Sequence, residues 1–381
     1  MFFPFPFSLY PFPFSLYPFP FPSPLAPRPS PLVPFPFTLS PFPITNYQLP
    51  SLKIRDIGEK GLLERLQRFC PPEIVGDDAA VLATLPGQSL VVTTDMLVDG
   101  VHFSDSTTSP EDAGWRAAAA NLSDLAAMGA TPLGITVGLG LPGDVPVDWV
   151  ERLYHGMSDC LQQYKTAIVG GDICRSPVIS VAITAFGQSS PTRIIRRNAA
   201  SVGDAIAVTG VHGASRAGLE LLLHPELGQD LSDFERISLI QAHQRPKPRL
   251  DVLPILWEIL ESQSQIQIAG MDSSDGLADA VVQLCQASGV GAIIENCQIP
   301  IPDALKKLSP QRAFEWALYG GEDFELVLCM PPEIALALVQ RLGEGAAIVG
   351  EIVADSKVIL RDRANKNPDE VLSLSRGFQH F

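Results

Sequence analysis

Proline restricts this chain more than any other feature. Residues 4–10 read PFPFSLY, residues 11–17 repeat them letter for letter, and Pro18 begins a third copy. Proline at almost every second position removes backbone donors and fixes φ, so the stretch can form neither a helix nor a central strand. The first 50 residues hold no Asp or Glu, and Arg28 is their only basic residue. They lack the basic leader and unbroken apolar run of a signal peptide. A polyproline-II-like or disordered extension is expected over 1–50. It reads either as a docking peptide or as upstream repeat sequence translated in frame from a misassigned start, the second being favoured. Globular sequence begins near Ser51.

Of 381 residues, enough remain for two ordinary domains with a sizeable core. Apolar residues at 46% and charged residues at 18% fit a soluble globular chain. A net charge of −15 argues against a nucleic-acid partner, since phosphate backbones require clustered Lys and Arg. It is compatible with a solvated acidic surface and with a site that gathers carboxylates around metal ions. The six cysteines form no C-x-x-C pair and match neither a zinc site nor a dense disulfide framework, so reduced thiols and a cytoplasmic location are expected. No uncharged apolar run is long enough to predict a membrane span.

Apolar spacing predicts a helix over Glu59–Cys70, closed by Pro71 and Pro72. The β-branched run Ser89–Thr94 predicts a strand ending at Asp95. Ser109-Pro110-Glu111 reads as an N-cap followed by a first-turn proline, opening an Ala-rich helix to Met128. A strand over Leu133–Leu139, a helix over Val147–Tyr164, a short strand over Ala167–Val169 and a strand over Val178–Phe186 follow. A second block opens near Gly203-Asp204, with strands expected over Ala205–Thr209, Ala292–Glu295 and Phe324–Cys329 and helices over Ser215–Leu223, Pro248–Ser262 and Ser274–Ala287. Alternating helices and strands give an α/β class, with a boundary inside 188–202.

Five acidic clusters stand out beside small or hydroxyl residues: GDDA at 76–79, TTD at 93–95, NLSD at 121–124, GGD at 170–172 and DSSDG at 272–276. Singly, each is ordinary turn chemistry. Converged, carboxylates within about 4 Å repel by about 4 kcal/mol per pair at an effective dielectric near 20. Such a set requires a cation, and Mg²⁺ suits hard oxygen donors shared with phosphate. The usual nucleotide signatures are absent: there is no G-x-x-x-x-G-K-[ST]. The G-x-G-x-x-G match at Gly138–Gly143 is interrupted by Pro142 and Pro146, where its helix should start.

In order, GDDAAVL, TTDMLVDGVHF, NLSDLAAMGATP, GGD, RNAASVGDAIAVTG, AHQRPKPRL, DSSDGL, YGGEDFELVL and GFQHF make the chain resemble the thiamine-monophosphate kinase family over about residues 51–381. That family shares a superfamily with aminoimidazole ribonucleotide synthetase and selenophosphate synthetase. The resemblance implies a two-domain α/β fold: an N-terminal ATP- and Mg-binding domain over 51–195, dimerising through its sheet, and a C-terminal domain over 196–381. It implies a homodimer that phosphorylates thiamine monophosphate with ATP. Mg²⁺ ligands would be Asp78, Asp95, Asp124, Asp172, Asp272 and Asp275, with Thr93 and Thr94 lending oxygens. ATP would meet Tyr164, Gly171, Asp172, Arg197 and Ser274, and the thiamine phosphate would meet His102, Glu322 and Phe378. Asp95, Asp124 and Arg197 would carry catalysis, and Glu322 would face the cationic thiazolium. Ser273 departs from the family pattern, where an apolar residue is common. The alternative is another ATP-dependent synthetase of the same superfamily. The selenophosphate type would place a reactive Cys beside a Gly and Lys, and Lys60-Gly61 has none adjoining.

Overall fold

Alternation of side chains along strands, and of strands with amphipathic helices, builds two layered units from the residues described in this computed structural model: 52–71, 82–261, 266–363 and 368–376. Asp78, with its GDDA cluster, and Phe378 lie outside them. The first run of elements is α1 (Ile54–Leu66), β1 (Ser89–Val98), α2 (Pro110–Ala127), β2 (Thr131–Leu141), α3 (Val147–Gln163), β3 (Ile168–Arg175) and β4 (Ser180–Ser189). Its strands form a sheet in the order β1-β4-β2-β3, parallel only between β2 and β3.

The second run is β5 (Ala205–Val208), α4 (Ala214–Leu223), α5 (Asp233–Gln244), α6 (Val252–Ile259), β6 (Ala269–Asp272), α7 (Leu277–Ser288), β7 (Gly291–Glu295), α8 (Asp303–Leu308), α9 (Ala313–Tyr319), β8 (Leu326–Met330), α10 (Pro332–Leu342), β9 (Ala347–Val353), β10 (Val358–Arg361) and β11 (Glu370–Val371). Its sheet runs β11-β10-β7-β9-β5-β8-β6.

Several boundaries differ from the sequence reading. Helix α1 breaks at Gly58 (φ +66°), so its main segment begins at Glu59 as expected; what the sequence reading lacked is the short turn ahead of the break, which docks on the 143–147 loop through Ile54 N–H to the Val145 carbonyl (3.1 Å) and Arg55 N–H to the Gly143 carbonyl (3.0 Å). Asp95 does not end its strand: β1 continues to Val98, paired in register with β4 through Val98–Ser180. The Gly170-Gly171-Asp172 cluster likewise lies inside β3, held by β2, instead of following a short strand. Tertiary pairing overrides the local turn preference of Asp and Gly at both places.

Helix α2 positions the site. Ser109 accepts the Asp112 N–H at 3.2 Å, with Pro110 in the first turn, a cap worth about 1 kcal/mol. Its alanines let neighbours approach on every side, and most of the helix is buried, with Leu122 and Leu125 fully so. A Cβ at Gly114 would strike the Leu153 carbonyl and one at Gly156 the Glu111 carbonyl, so glycine on each helix permits α2 and α3 to touch backbone to backbone. Other residues of α2 reach the second sheet: Ser123 donates 2.6 Å to Asp272 at the end of β6. Leu122 or Leu125 cut to Ala would cost about 2–5 kcal/mol at such sites.

The outer face of the first sheet is open. Side chains of β1 alternate strictly over Ser89–Met96, and Leu90, Val92 and Met96 are each more than half exposed, at 54%, 52% and 53%.

Candidate active site

Residues Arg116, Ala120 and Asp124 lie four apart on α2 and therefore on one stripe of the helix. All three line a cavity of about 890 Å³. The small Ala120 leaves a trough with a cation at one end and a carboxylate at the other. Strand β1 adds Thr94 and Asp95, the following loop adds His102, and the second unit adds Asp272, Ser274, Asp275 and Glu322. The aromatic residues Trp316 and Tyr319 of α9 complete the wall near Glu322, with Arg376 stacked over the Tyr319 ring at 4.4 Å.

At the carboxylate end, burial and mutual repulsion act together. Burial pushes the Asp124 carboxyl well above its ordinary range, helped by the charges of Asp272 and Asp95, against the hydroxyl of Thr93, which donates to it, and the attraction of Arg197. Asp95 is raised by burial and by Asp272. Asp272 is raised by burial even though Ser123 and Ser274 donate to it at 2.6 and 3.0 Å. Among the described residues no three such side chains already enclose one point as a metal cage. Ser273, between the two aspartates, is fully buried with a hydroxyl that meets no partner, which is the physical reason an apolar residue suits that position.

At the opposite end every guanidinium is matched. Arg116 is 3% exposed and pairs with Glu322, whose side chain is 35% exposed. Arg216 pairs with Glu220 at 2.5 Å and Arg376 with Glu370 at 2.5 Å. His243 touches the Arg116 guanidinium at 3.5 Å and the Ser215 hydroxyl at 3.2 Å. Burial, with Arg116 and Arg216 nearby, lowers its pKa to about 3, so the imidazole is neutral. Glu322 has φ +66° and Phe324 φ +53°, left-handed conformations that side chains seldom adopt. Glu322 is held there by its N–H, which donates to the Ser274 carbonyl at 2.7 Å. Strain of this kind concentrates at ligand sites.

The structure thus brings together Thr94, Asp95, His102, Asp124, Asp272, Ser274, Asp275 and Glu322, with Thr93 bonded behind Asp124. It does not bring Tyr164, Gly171 or Asp172 to the cavity wall. Asp95, Ile183, Val137 and Gly171 lie in one rung across the sheet. Gly171 is therefore three strand spacings, about 14 Å, from Asp95. Asp172 is exposed beside it, and Tyr164 caps the C-terminus of α3, half-buried against the core. Arg197 is exposed and donates to Gln283 at 2.7 Å, its charge still reaching Asp124 and Asp272. Arg116, Ser123, His243, Trp316 and Tyr319 are additions that sequence reasoning missed. Arg116 could have been noticed as the lone cation of an Ala-rich helix, and His243 lies inside the AHQRPKPRL motif.

Comparison with known proteins gives a consistent answer. Residues 76–189 match the N-terminal domain and residues 201–363 the C-terminal domain of AIR synthase related proteins. The thiamine-monophosphate kinase of Synechococcus elongatus is 53% identical over 331 residues, covering 86% of this chain and 98% of that one. The crystal structure of thiamine-monophosphate kinase from Stenotrophomonas maltophilia superposes with a TM-score of 0.67 at 32% identity, covering 80% of this chain and 96% of that one. A structure of AaThiL complexed with AMPPCP and TMP superposes with a TM-score of 0.65 at 30% identity, covering 87% and 99%. With the acidic cavity and the motif order in agreement, the chain belongs to the thiamine-monophosphate kinase family.

Proposed function

We propose that this protein phosphorylates thiamine monophosphate with ATP, giving thiamine diphosphate and ADP by direct in-line transfer. The observation that carries the reading is one cavity uniting a repelling carboxylate cluster with an aromatic, charge-paired end. Kinship to an enzyme solved with AMPPCP and TMP supports it. The terminal phosphate oxygen of thiamine monophosphate attacks the γ-phosphorus of ATP as the bond to the ADP oxygen breaks. The nucleophile is already an anion, so no strong general base is required, and catalysis rests on positioning and charge.

The donor set at the carboxylate end is all hard oxygen, without thiol or imidazole, and Asp272 repels both Asp95 and Asp124. That fits Mg²⁺, which keeps waters and takes phosphate oxygens in place of a full protein cage. Asp95, Asp124, Asp272 and Asp275 would hold it, with Thr93 orienting Asp124; Asp78 and Asp172 complete the set expected from the family. Bound there, Mg²⁺ supplies charge neutralisation to the phosphates. Arg197 adds positive charge toward Asp124 and Asp272, and Ser274 stands beside Asp272 for the nucleotide. His102, Glu322 and Phe378 are proposed for the thiamine end.

We also propose a homodimer built on the first sheet, of the 51–195 domain, with 196–381 as the second domain. Leu90, Val92 and Met96 form an uncovered apolar stripe suited to a second copy. Tyr164, Gly171 and Asp172 are proposed nucleotide contacts to be judged by the KM for ATP. Among the described residues no helix is long and apolar enough to cross a membrane, and a cytoplasmic protein is proposed.

The test is coupled ADP release with thiamine monophosphate, selenide and formylglycinamidine ribonucleotide offered in parallel. Turnover with thiamine monophosphate alone is expected. Turnover with either of the others in its place would replace this reading with the synthetase alternative.

A further inference from the structure

A carboxylate expected to attract a cation is, in this fold, already neutralised. Glu322 pairs with Arg116, which is 3% exposed and anchored in α2, 206 residues away in sequence. Arginine can only donate, so the His243 Nε2 that meets Arg116 at 3.5 Å is the acceptor. The proton then sits on Nδ1, 3.2 Å from the Ser215 hydroxyl and 3.7 Å from Glu322 Oε2. Arg116 of α2 thereby holds the Glu322 carboxylate directly and His243 of α5 braces Arg116, while the Glu322 backbone is itself held in a left-handed conformation. The group has a net charge of zero: one guanidinium, one carboxylate and one neutral imidazole. Glu322 nevertheless lines the cavity with its side chain 35% exposed. A carboxylate has about four acceptor sites, and the contacts to Arg116 and His243 leave capacity toward the ligand.

Resting on the proposed reading of the substrate, we propose that Arg116 and His243 are positioning residues that make Glu322 an oriented hydrogen-bond acceptor for an N–H donor on a flat heteroaromatic ring, in place of a bare charge for a cation. In thiamine monophosphate that donor is the amino group of the pyrimidine, not the thiazolium. Trp316 and Tyr319 line the same wall, with Arg376 stacked over the Tyr319 ring. A site built to hydrogen-bond a substrate N–H rejects an analogue lacking it strongly, because the buried acceptor is left unpaired. Loss of a ring charge costs less where the facing carboxylate, Glu322, is already paired with Arg116.

The experiment measures kcat/KM on the full chain for thiamine monophosphate, its analogue with the pyrimidine amino group replaced by oxo, and an analogue whose thiazolium is replaced by a neutral isosteric ring. In the wild type the oxo analogue is expected to lose at least about 100-fold and the neutral-ring analogue under about tenfold. Arg116→Met strips Glu322 of its partner, so the neutral-ring penalty should grow and the gap between the analogues close. A merely structural role for Arg116 would lower all three alike. Should Arg116→Met be insoluble, Arg116→Lys, which retains charge without the planar fork, is expected to narrow the same gap. A neutral-ring loss equal to or larger than the oxo loss in the wild type overturns the inference. So does a variant that leaves the gap unchanged. Absence of ADP release with thiamine monophosphate itself would instead overturn the proposed reaction.

Discussion

The two ends of the cavity treat charge in opposite ways. Near β1 and β6, burial raises the pKa of Asp95, Asp124 and Asp272, the charge of Asp272 raises both of the others, and the guanidinium that reaches them, Arg197, is engaged with Gln283. Near α5 and α9, Arg116, Arg216 and Arg376 each have a carboxylate partner. The first end is destabilised until a ligand brings positive charge. The second is ordered beforehand and adds little cost on binding. The same protein thus uses electrostatic strain where charge must be neutralised and compensation where shape must be recognised.

The largest effect expected is at the strained end. Asp124→Asn keeps size and shape but removes the charge, so turnover should fall on the order of 10²–10³-fold, and Asp95→Asn and Asp275→Asn should behave alike. Without metal the variants should melt at the wild-type temperature or higher. Loss of metal-free stability with near-normal turnover would reduce these residues to turn and cap formers.

Next comes Glu322→Gln at the compensated end. The KM for thiamine monophosphate should rise roughly tenfold, with the KM for ATP changed far less. Here stability should drop, by about 1–3 kcal/mol, because Arg116 loses its charged partner. If the KM for ATP alone rises, Glu322 belongs to the nucleotide end and the comparison fails.

The pH dependence sharpens the contrast. Asp124 has a folded pKa raised to about 7. A carboxyl raised on folding opposes folding once the unfolded chain ionises, so its penalty is absent near pH 4 and grows to full size above pH 7. In metal-free thermal melts, the advantage of Asp124→Asn over wild type should therefore appear between pH 4 and 7 and level off beyond. A constant difference across that window would place the effect elsewhere.

On the open sheet face, Val92→Asp should convert a dimer to a monomer by light scattering, since an unpaired charge would enter the apolar stripe. Deleting residues 1–50 should have the smallest effect, leaving soluble yield and turnover within about twofold, because that stretch offers no acidic ligand and no core pattern.

Much of this was legible in the sequence. The cap and proline at Ser109-Pro110 marked α2, and the motif order marked the family and most acids of the cavity. Other parts depend on pairing that local sequence does not encode. Asp95 looks like a strand end because Asp is poor in strands, yet β4 carries β1 onward. Strand β6 has only the four residues AGMD, too few and too plain to read, although Asp272 depends on it. Arg116 and Glu322 meet only once both units are folded, so neither the pair nor the neutrality of that end could be inferred from spacing.

Direct transfer requires that ATP and thiamine monophosphate occupy the two ends of the cavity at once, and initial rates measured over a grid of both concentrations test this most directly. Double-reciprocal lines that intersect, with exchange between ATP and ADP absent until thiamine monophosphate is added, are the predicted result. Parallel lines with ATP–ADP exchange in its absence would mean that the phosphoryl group first passes to the protein, and would contradict the account.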